Sequence, residues 1–187
     1  MAADELRAVL AAYKQVMEAS WPTLHPAMAQ RAPGWANASE EELQAELNRY
    51  LRESARPNGR VRIFWKFGEK LLFGGCNQLF ARDAGLPAPA DLLGIDDFDP
   101  KLPWNRQASK YRADDEQVFR SGTAKLDIVE RQDQTAGVHH WLRVGKAPIR
   151  TANGAVIGIL GMYEVLENDV GRRLYAQRVM NPSARLD

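Results

Sequence analysis

The sequence predicts an α+β domain with an antiparallel sheet behind a helical extension, and three observations carry that prediction. Up to Gly59 the apolar residues recur at spacings of three and four, whereas beyond it they sit in short runs rich in aromatic and β-branched residues. These runs come in the order strand, strand, helical stretch, then three strands, a segregation that marks α+β folds. The last two runs are joined by Asn153-Gly154, which predicts a tight hairpin with two positive-φ positions.

Leu6, Val9, Leu10, Tyr13, Val16 and Met17 form one apolar face of a first helix within residues 1–20. That face needs a partner, which is either the rest of the chain or the same helix of a second copy. The prolines and glycine of "WPTLHPAMAQRAPGW", residues 21–35, make a connector with room for one helical turn. Ser39 and Glu42 form a capping box for a second helix, whose apolar face is Leu43, Leu47, Tyr50 and Leu51 and which ends near "ARPNG".

Five segments then read as strands: "VRIFWKF", "KLLFGGC", "AKLDIVERQ", "HHWLRVGKAPI" and "AVIGILGMYEV". After the second, Asn77 is an N-cap residue for "QLFARDA", with Gly85 at its C-terminal end. In "RADDEQVFRSG", Asp114 or Asp115 is expected at a helix N-terminus, with Val118 and Phe119 as apolar contacts and Gly122 beyond the end.

Lys and Arg number 25 against 24 Asp and Glu, so a net charge of +1 supplies no long-range field toward nucleic acid or an anionic membrane. The single cysteine, Cys76, cannot form an intrachain disulfide, which suits a reducing cytoplasm. Charged residues interrupt the N-terminal segment, which is expected to be neither a signal peptide nor a membrane span.

Few residues invite catalytic chemistry. "FGGCNQLFARDAG" lacks the Lys and Ser or Thr of a phosphate loop, and Cys76 has no neighbouring His to activate it. His139 and His140 are adjacent in a strand and point to opposite faces, so they do not chelate one metal. Asp96, Asp97 and Asp99 lack the glycine and terminal Glu of a calcium loop and read as capping and solvated residues. No Ser/His/Asp or paired-carboxylate arrangement stands out, so the expectation is a binding domain and not an enzyme.

The order of elements resembles a PAS domain, the sensory module of bacterial signalling proteins. The resemblance spans residues 60–167 and rests on "FWKF", "GGCNQLFARDAGL", "LLGIDDFDPKLPW", "YRADDEQVFRSG" and, most specifically, "HHWLRVGKAPIRTANGAVIGILGMYE". It implies a five-stranded antiparallel sheet in the order 2-1-5-4-3, with short helices over one face enclosing a pocket. Residues 1–59 would be a helical extension for dimerisation or signalling, and 168–187 a C-terminal helix or tail. Only twenty residues follow Glu167, so any output is expected to pass through an effector protein in trans.

The family pattern places His140, Leu142, Val144 and Lys146 of the fourth strand toward the pocket, with Trp141 and Arg143 outward. It places Gly158, Leu160 and Met162 of the fifth strand inside, and draws Asn77, Phe80, Trp104, Tyr111 and Val118 from the helical cover. For the first strand, alternation favours Val61, Ile63, Trp65 and Phe67 as the buried face, whereas the family register favours Phe64 and Lys66. If Lys66 and His140 both face inward, a carboxylate ligand follows, because buried cations need partners.

Family ligands include haem, flavins, carboxylates and other small metabolites. The light-sensing flavin signature Asn-Cys-Arg-Phe-Leu-Gln is absent, and "ADDEQVFRSG" carries no axial His for haem. Phe67 stands where many relatives have Asp, and "VLE" at 165–167 replaces the usual Asp-Ile-Thr. The expected function is therefore a stand-alone cytoplasmic sensor that binds a small molecule and acts through a homodimer, without nucleic acid or membrane partners. The alternative is a ligand-free interaction module whose pocket is filled by side chains.

Overall fold

The computed structural model describes residues 1–23, 26–55, 60–133 and 139–180. His25 and most of the turn expected at "ARPNG" lie outside the described residues. Helix α1 (Ala3–Ser20) leads through one turn, α2 (Met28–Arg31), and a 3₁₀ stretch (Ala32–Asn37) to α3 (Glu40–Ser54). Strands β1 (Arg62–Phe67) and β2 (Leu72–Cys76) precede α4 (Gln78–Asp83), and α5 (Ala108–Ser121) precedes β3 (Lys125–Asp133), β4 (His139–Arg150) and β5 (Val156–Leu166). Helix α6 (Asn168–Met180) ends the described chain.

The five strands form one antiparallel sheet in the order β2-β1-β5-β4-β3. The expected capping box at the start of α3 is present: the Glu42 amide donates to Ser39 Oγ, and the Ser39 amide donates to the Glu42 carboxylate at 2.8 Å. Asn77 caps α4 by accepting from the Phe80 amide at 3.1 Å.

Apolar clusters cover both faces of the sheet, and this decides how its strands are read. On one face Leu6, Val9, Leu10, Tyr13, Val16 and Met17 of α1 and Leu43, Leu47 and Tyr50 of α3 pack against Ile63, Trp65, Ala147, Ile149, Leu160 and Met162. Gly145 of β4 admits this close approach, since a Cβ there would stand 2.7 Å from Val16 Cγ1. The α1 stripe is thus satisfied within the chain, with Leu10 and Tyr13 fully buried. The texture boundary near residue 60 is crossed by this continuous core.

The other face carries Phe64, Phe73, Phe80, Leu92, Leu102, Trp104, Val118, Leu142, Val144, Ile159 and Tyr163. This second cluster encloses the candidate site. Because both faces are buried, β1 has an uninterrupted buried stretch from Ile63 to Lys66 instead of an alternation.

Two local expectations need correction. Among the described residues the only non-glycine positive φ angles are at Arg60, Leu71 and Asp127, so Asn153 is not left-handed. The hairpin closes with Thr151 and Ala155, only Gly154 has a positive φ, and Asn153 Oδ1 instead accepts from the Ala155 amide. A bulge between Ile149 and Arg150 accommodates the longer loop. Helix α5 begins at Ala108, well before the expected cap, so Asp114 and Asp115 lie within the helix and not at its N-terminus.

Candidate functional site: a buried ion cluster beside an aromatic cavity

Cross-strand register brings the site together. Directly opposite residues of antiparallel strands share a face, and β5 pairs Gly161 with Phe64 of β1 on one side and Lys146 of β4 on the other. A Cβ at Gly161 would lie 2.2 Å from Phe64 Cζ, so the absence of a side chain there lets the Phe64 ring lie over the sheet. The neighbouring rows place Lys66 beside Ile159, and Val144 beside Tyr163.

These rows floor a cavity of about 40 Å³. Its apolar wall includes Phe64, Phe73, Phe80, Trp104, Tyr111, Leu142, Val144 and Tyr163, and Glu130 and Gln132 reach it from β3. The rings interlock, with Phe64 and Phe80 centroids 4.8 Å apart and Trp104 edge-on to Phe80 at 5.4 Å.

Four charges close one end. Lys66 Nζ donates to Asp97 Oδ2 and Asp115 Oδ2, both at 2.5 Å, and Lys146 Nζ donates to Asp115 Oδ1 at 2.7 Å. Trp104 Nε1 donates to Asp97 Oδ1 at 3.3 Å. Each of the four charged residues is at most 4 % exposed, so their charges are screened by one another and not by water. Burial pushes the Asp115 carboxyl up, but Lys146 and Lys66 outweigh burial and hold it below the usual aspartate range. Burial likewise pulls Lys146 down, and Asp115 together with Glu130 more than reverses this, so its ammonium stays charged well into alkaline solution. Lys66 Nζ also lies 4.6 Å from the Phe73 ring centroid, which offsets part of its desolvation.

Of the residues expected to line a pocket, Phe64, Lys66, Phe80, Trp104, Tyr111, Leu142 and Val144 surround the cavity. The family register of β1 is therefore the observed one. Val118 belongs to the same cluster but does not line the cavity. Asn77 serves the backbone, capping α4 and bridging the Ile63 amide and Val61 carbonyl through its side chain.

His140 is half-buried opposite Gln132 and does not line the cavity. Leu160 and Met162 face the opposite side and pack beneath α1 with Leu6 and Val9. Their parity is reversed because Lys146 lies opposite Gly161, which turns odd-numbered β5 residues inward. Trp141 packs on α6 against Tyr175, and Arg143 pairs with Asp127, both away from the cavity.

Sequence reasoning missed Asp97 and Asp115. Asp96 and Asp99 do accept from nearby backbone amides, as expected of capping residues, but Asp97 between them turns inward to Lys66. For Asp115 a signal existed: Ala108, Tyr111, Asp115 and Val118 recur at spacings of three and four, the inner stripe of an amphipathic helix. A carboxylate ligand loses both of its supports, since Lys66 is already neutralised and His140, though on the same sheet face, lies beyond the cavity lining.

Cys76 is buried at the end of β2, and burial pushes its thiol up to about 12. A disulfide reagent at pH 8 is expected to modify it on the order of a hundredfold more slowly in the native protein than in denaturant. Equal rates would show that the thiol is accessible. Among the described residues no group of His, Cys, Asp and Glu is arranged to hold a metal ion, and no helix is long and apolar enough to cross a membrane.

No family model and no curated protein matches the chain. Among solved structures, the phage VqmA–DPO complex aligns with a TM-score of 0.54 at 20 % identity, covering 75 % of this chain and 61 % of that one. A light-oxygen-voltage domain studied with a flavin analogue aligns with a TM-score of 0.51 at 15 % identity, covering 73 % of this chain and 96 % of its own. The fold is that of a PAS domain. The Vibrio cholera VqmA–ligand–DNA complex aligns with a TM-score of 0.51 at 21 % identity, covering 64 % of this chain and 51 % of VqmA. The chain thus spans roughly half to six-tenths of the VqmA chains it matches, and at these identities the likeness is one of fold.

Proposed function

We propose that this PAS-type protein is a cytoplasmic sensor that takes up a small molecule in the cavity beside the Lys66–Asp115 cluster. The observation that carries this reading is the half-open, aromatic-walled cavity ending in buried charges. Apolar walls with a few convergent polar groups are the usual composition of a small-molecule site. The resemblance in fold to VqmA, solved with DPO, supports it. Binding would favour one packing of the sheet and its helical cover over another, and a homodimer and an effector protein acting in trans would carry that change. The reading assigns no catalytic step, because each buried charge already neutralises another.

Native mass spectrometry of the purified chain, followed by denaturation and analysis of what is released, tests the proposal. A bound organic compound, or a ligand screen that raises the melting temperature, is the expected result. A bare mass together with no stabilising compound would overturn it. That outcome would favour an interaction module, a reading to which the close packing of Phe64, Phe73 and Phe80 lends support.

A further inference from the structure

Resting on the reading of this cavity as a ligand pocket, we infer that its entrance lies between α5 and the edge strand β3, and that the ion pair of Lys110 and Glu130 is the strap that controls passage through it. The first observation is where the lining meets solvent. Among the described residues that line the cavity, all are buried except Tyr111 on α5 and Glu130 and Gln132 on β3, which are half-buried. These two elements therefore frame the mouth, and β3 is the outermost strand on that side of the sheet.

The second observation is what holds the two elements together there. Lys110 Nζ lies 3.5 Å from the Glu130 carboxylate and donates to the Arg131 carbonyl at 3.3 Å. One turn further along α5, Asp114 accepts from Lys125 Nζ at 2.7 Å. Positions 110 and 114 are four apart and share the helix flank next to β3, while Tyr111 and Asp115 line the cavity. Elsewhere the cavity is closed by interlocked rings, with the Phe80 centroid 5.7 Å from that of Phe73 and 5.4 Å from that of Trp104. Parting buried rings exposes apolar surface to water, whereas the charges of a surface ion pair are solvated as they separate. The Lys110 side chain is 48 % exposed, so the seam between α5 and β3 is the side of the cavity that opens most easily.

The third observation is that Glu130 has a second cation close by. It lines the same cavity as Lys146, and its charge helps to keep that ammonium protonated. When Lys110 swings into solvent, the Glu130 carboxylate still faces a positive charge, so opening does not strand an anion at the mouth. The other flank of α5 is fastened differently, by Arg112 donating to the carbonyls of Glu69 and Lys70 in the turn between β1 and β2.

A cysteine on the cavity wall reports passage. Val144→Cys changes little volume at a buried lining position. The full-length variant is treated with methyl methanethiosulfonate, and peptide mass spectrometry scores position 144 separately from Cys76, which does not line this cavity. Adding Lys110→Met is expected to speed modification at 144 by about two- to fivefold, the weight of one half-exposed ion pair, without speeding that of Cys76. Raising sodium chloride from about 50 to about 500 mM is expected to have the same effect where Lys110 is present and little effect in Lys110→Met. Arg112→Gln, on the other flank, is expected to leave the rate unchanged. A rate that Lys110→Met does not change, or that Arg112→Gln raises as much, would overturn the inference while leaving the pocket reading intact. Modification at 144 that in every variant is only as fast as global unfolding exposes Cys76 would mean that small molecules do not enter, and would overturn the pocket reading itself. Leu142→Cys, at a second lining position, supplies the same readings if Val144→Cys does not fold.

Discussion

Asp115→Ala is expected to destabilise the domain by about 3–5 kcal/mol, the cost of removing one partner from a buried ion cluster. Asp115 is the shared acceptor of Lys66 and Lys146, so its loss strips Lys146 of its carboxylate contact and leaves Lys66 with Asp97 alone. For a domain of this size that is a fall in melting temperature of roughly 10 °C or more. The control is the fully apolar replacement Lys66→Met, Asp97→Leu, Asp115→Leu and Lys146→Met, which removes both signs of charge together. It is expected to recover most of the lost stability while abolishing ligand recognition. Calorimetry or urea unfolding would separate the two, and an Asp115→Ala protein within 1 kcal/mol of wild type would show that these charges are solvated.

The same pair sets a pH window. The Asp115 carboxyl is held below its usual value in the folded protein, so its contribution is present above about pH 4 and is lost as pH falls through the folded value. The Lys146 ammonium is held above its usual value, so its contribution is present below about pH 10 and is lost as pH rises through the folded value. Unfolding free energy measured across pH should therefore fall at both ends, and Asp115→Ala should flatten both limbs. Limbs that persist unchanged in the variant would assign them to other groups.

Leu10→Asp is the second large effect. Leu10 is fully buried between α1 and the sheet, where truncation to alanine would by itself cost about 2–5 kcal/mol. An aspartate among these apolar side chains adds the desolvation of its charge. The expected result is loss of the cooperative thermal transition by circular dichroism. A variant that keeps its fold but halves its mass by light scattering would mean that the α1 stripe is a seam between copies, contrary to its packing within the chain.

That contrast shows what was legible. The helical period of Leu6, Val9, Leu10, Tyr13, Val16 and Met17 identified an apolar face, but whether it met the sheet or another chain depended on residues more than a hundred positions away in β4 and β5. In β1, alternation favoured Ile63 and Trp65 and the family register favoured Phe64 and Lys66. Both pairs are buried, because α1 covers one face and α4 and α5 the other. In β5 the parity was recoverable from the hairpin: a two-residue turn at Asn153-Gly154 already sets Lys146 opposite Gly161, the register that the longer loop and its bulge preserve. The family pattern that points Leu160 and Met162 inward does not carry this antiparallel constraint through the turn.

By itself the sequence determined the five strands, the capped helix α3, the Asn77 cap and the aromatic residues of the helical cover. Each of these rests on side-chain spacing or capping chemistry confined to a few neighbouring positions. Only the tertiary structure decided which faces are buried and which charges meet. Lys66 finds Asp97 at a separation of 31 residues and Asp115 at 49. An aspartate in a polar loop or on a helix looks solvated until folding removes the water around it, and only then does it require a lysine.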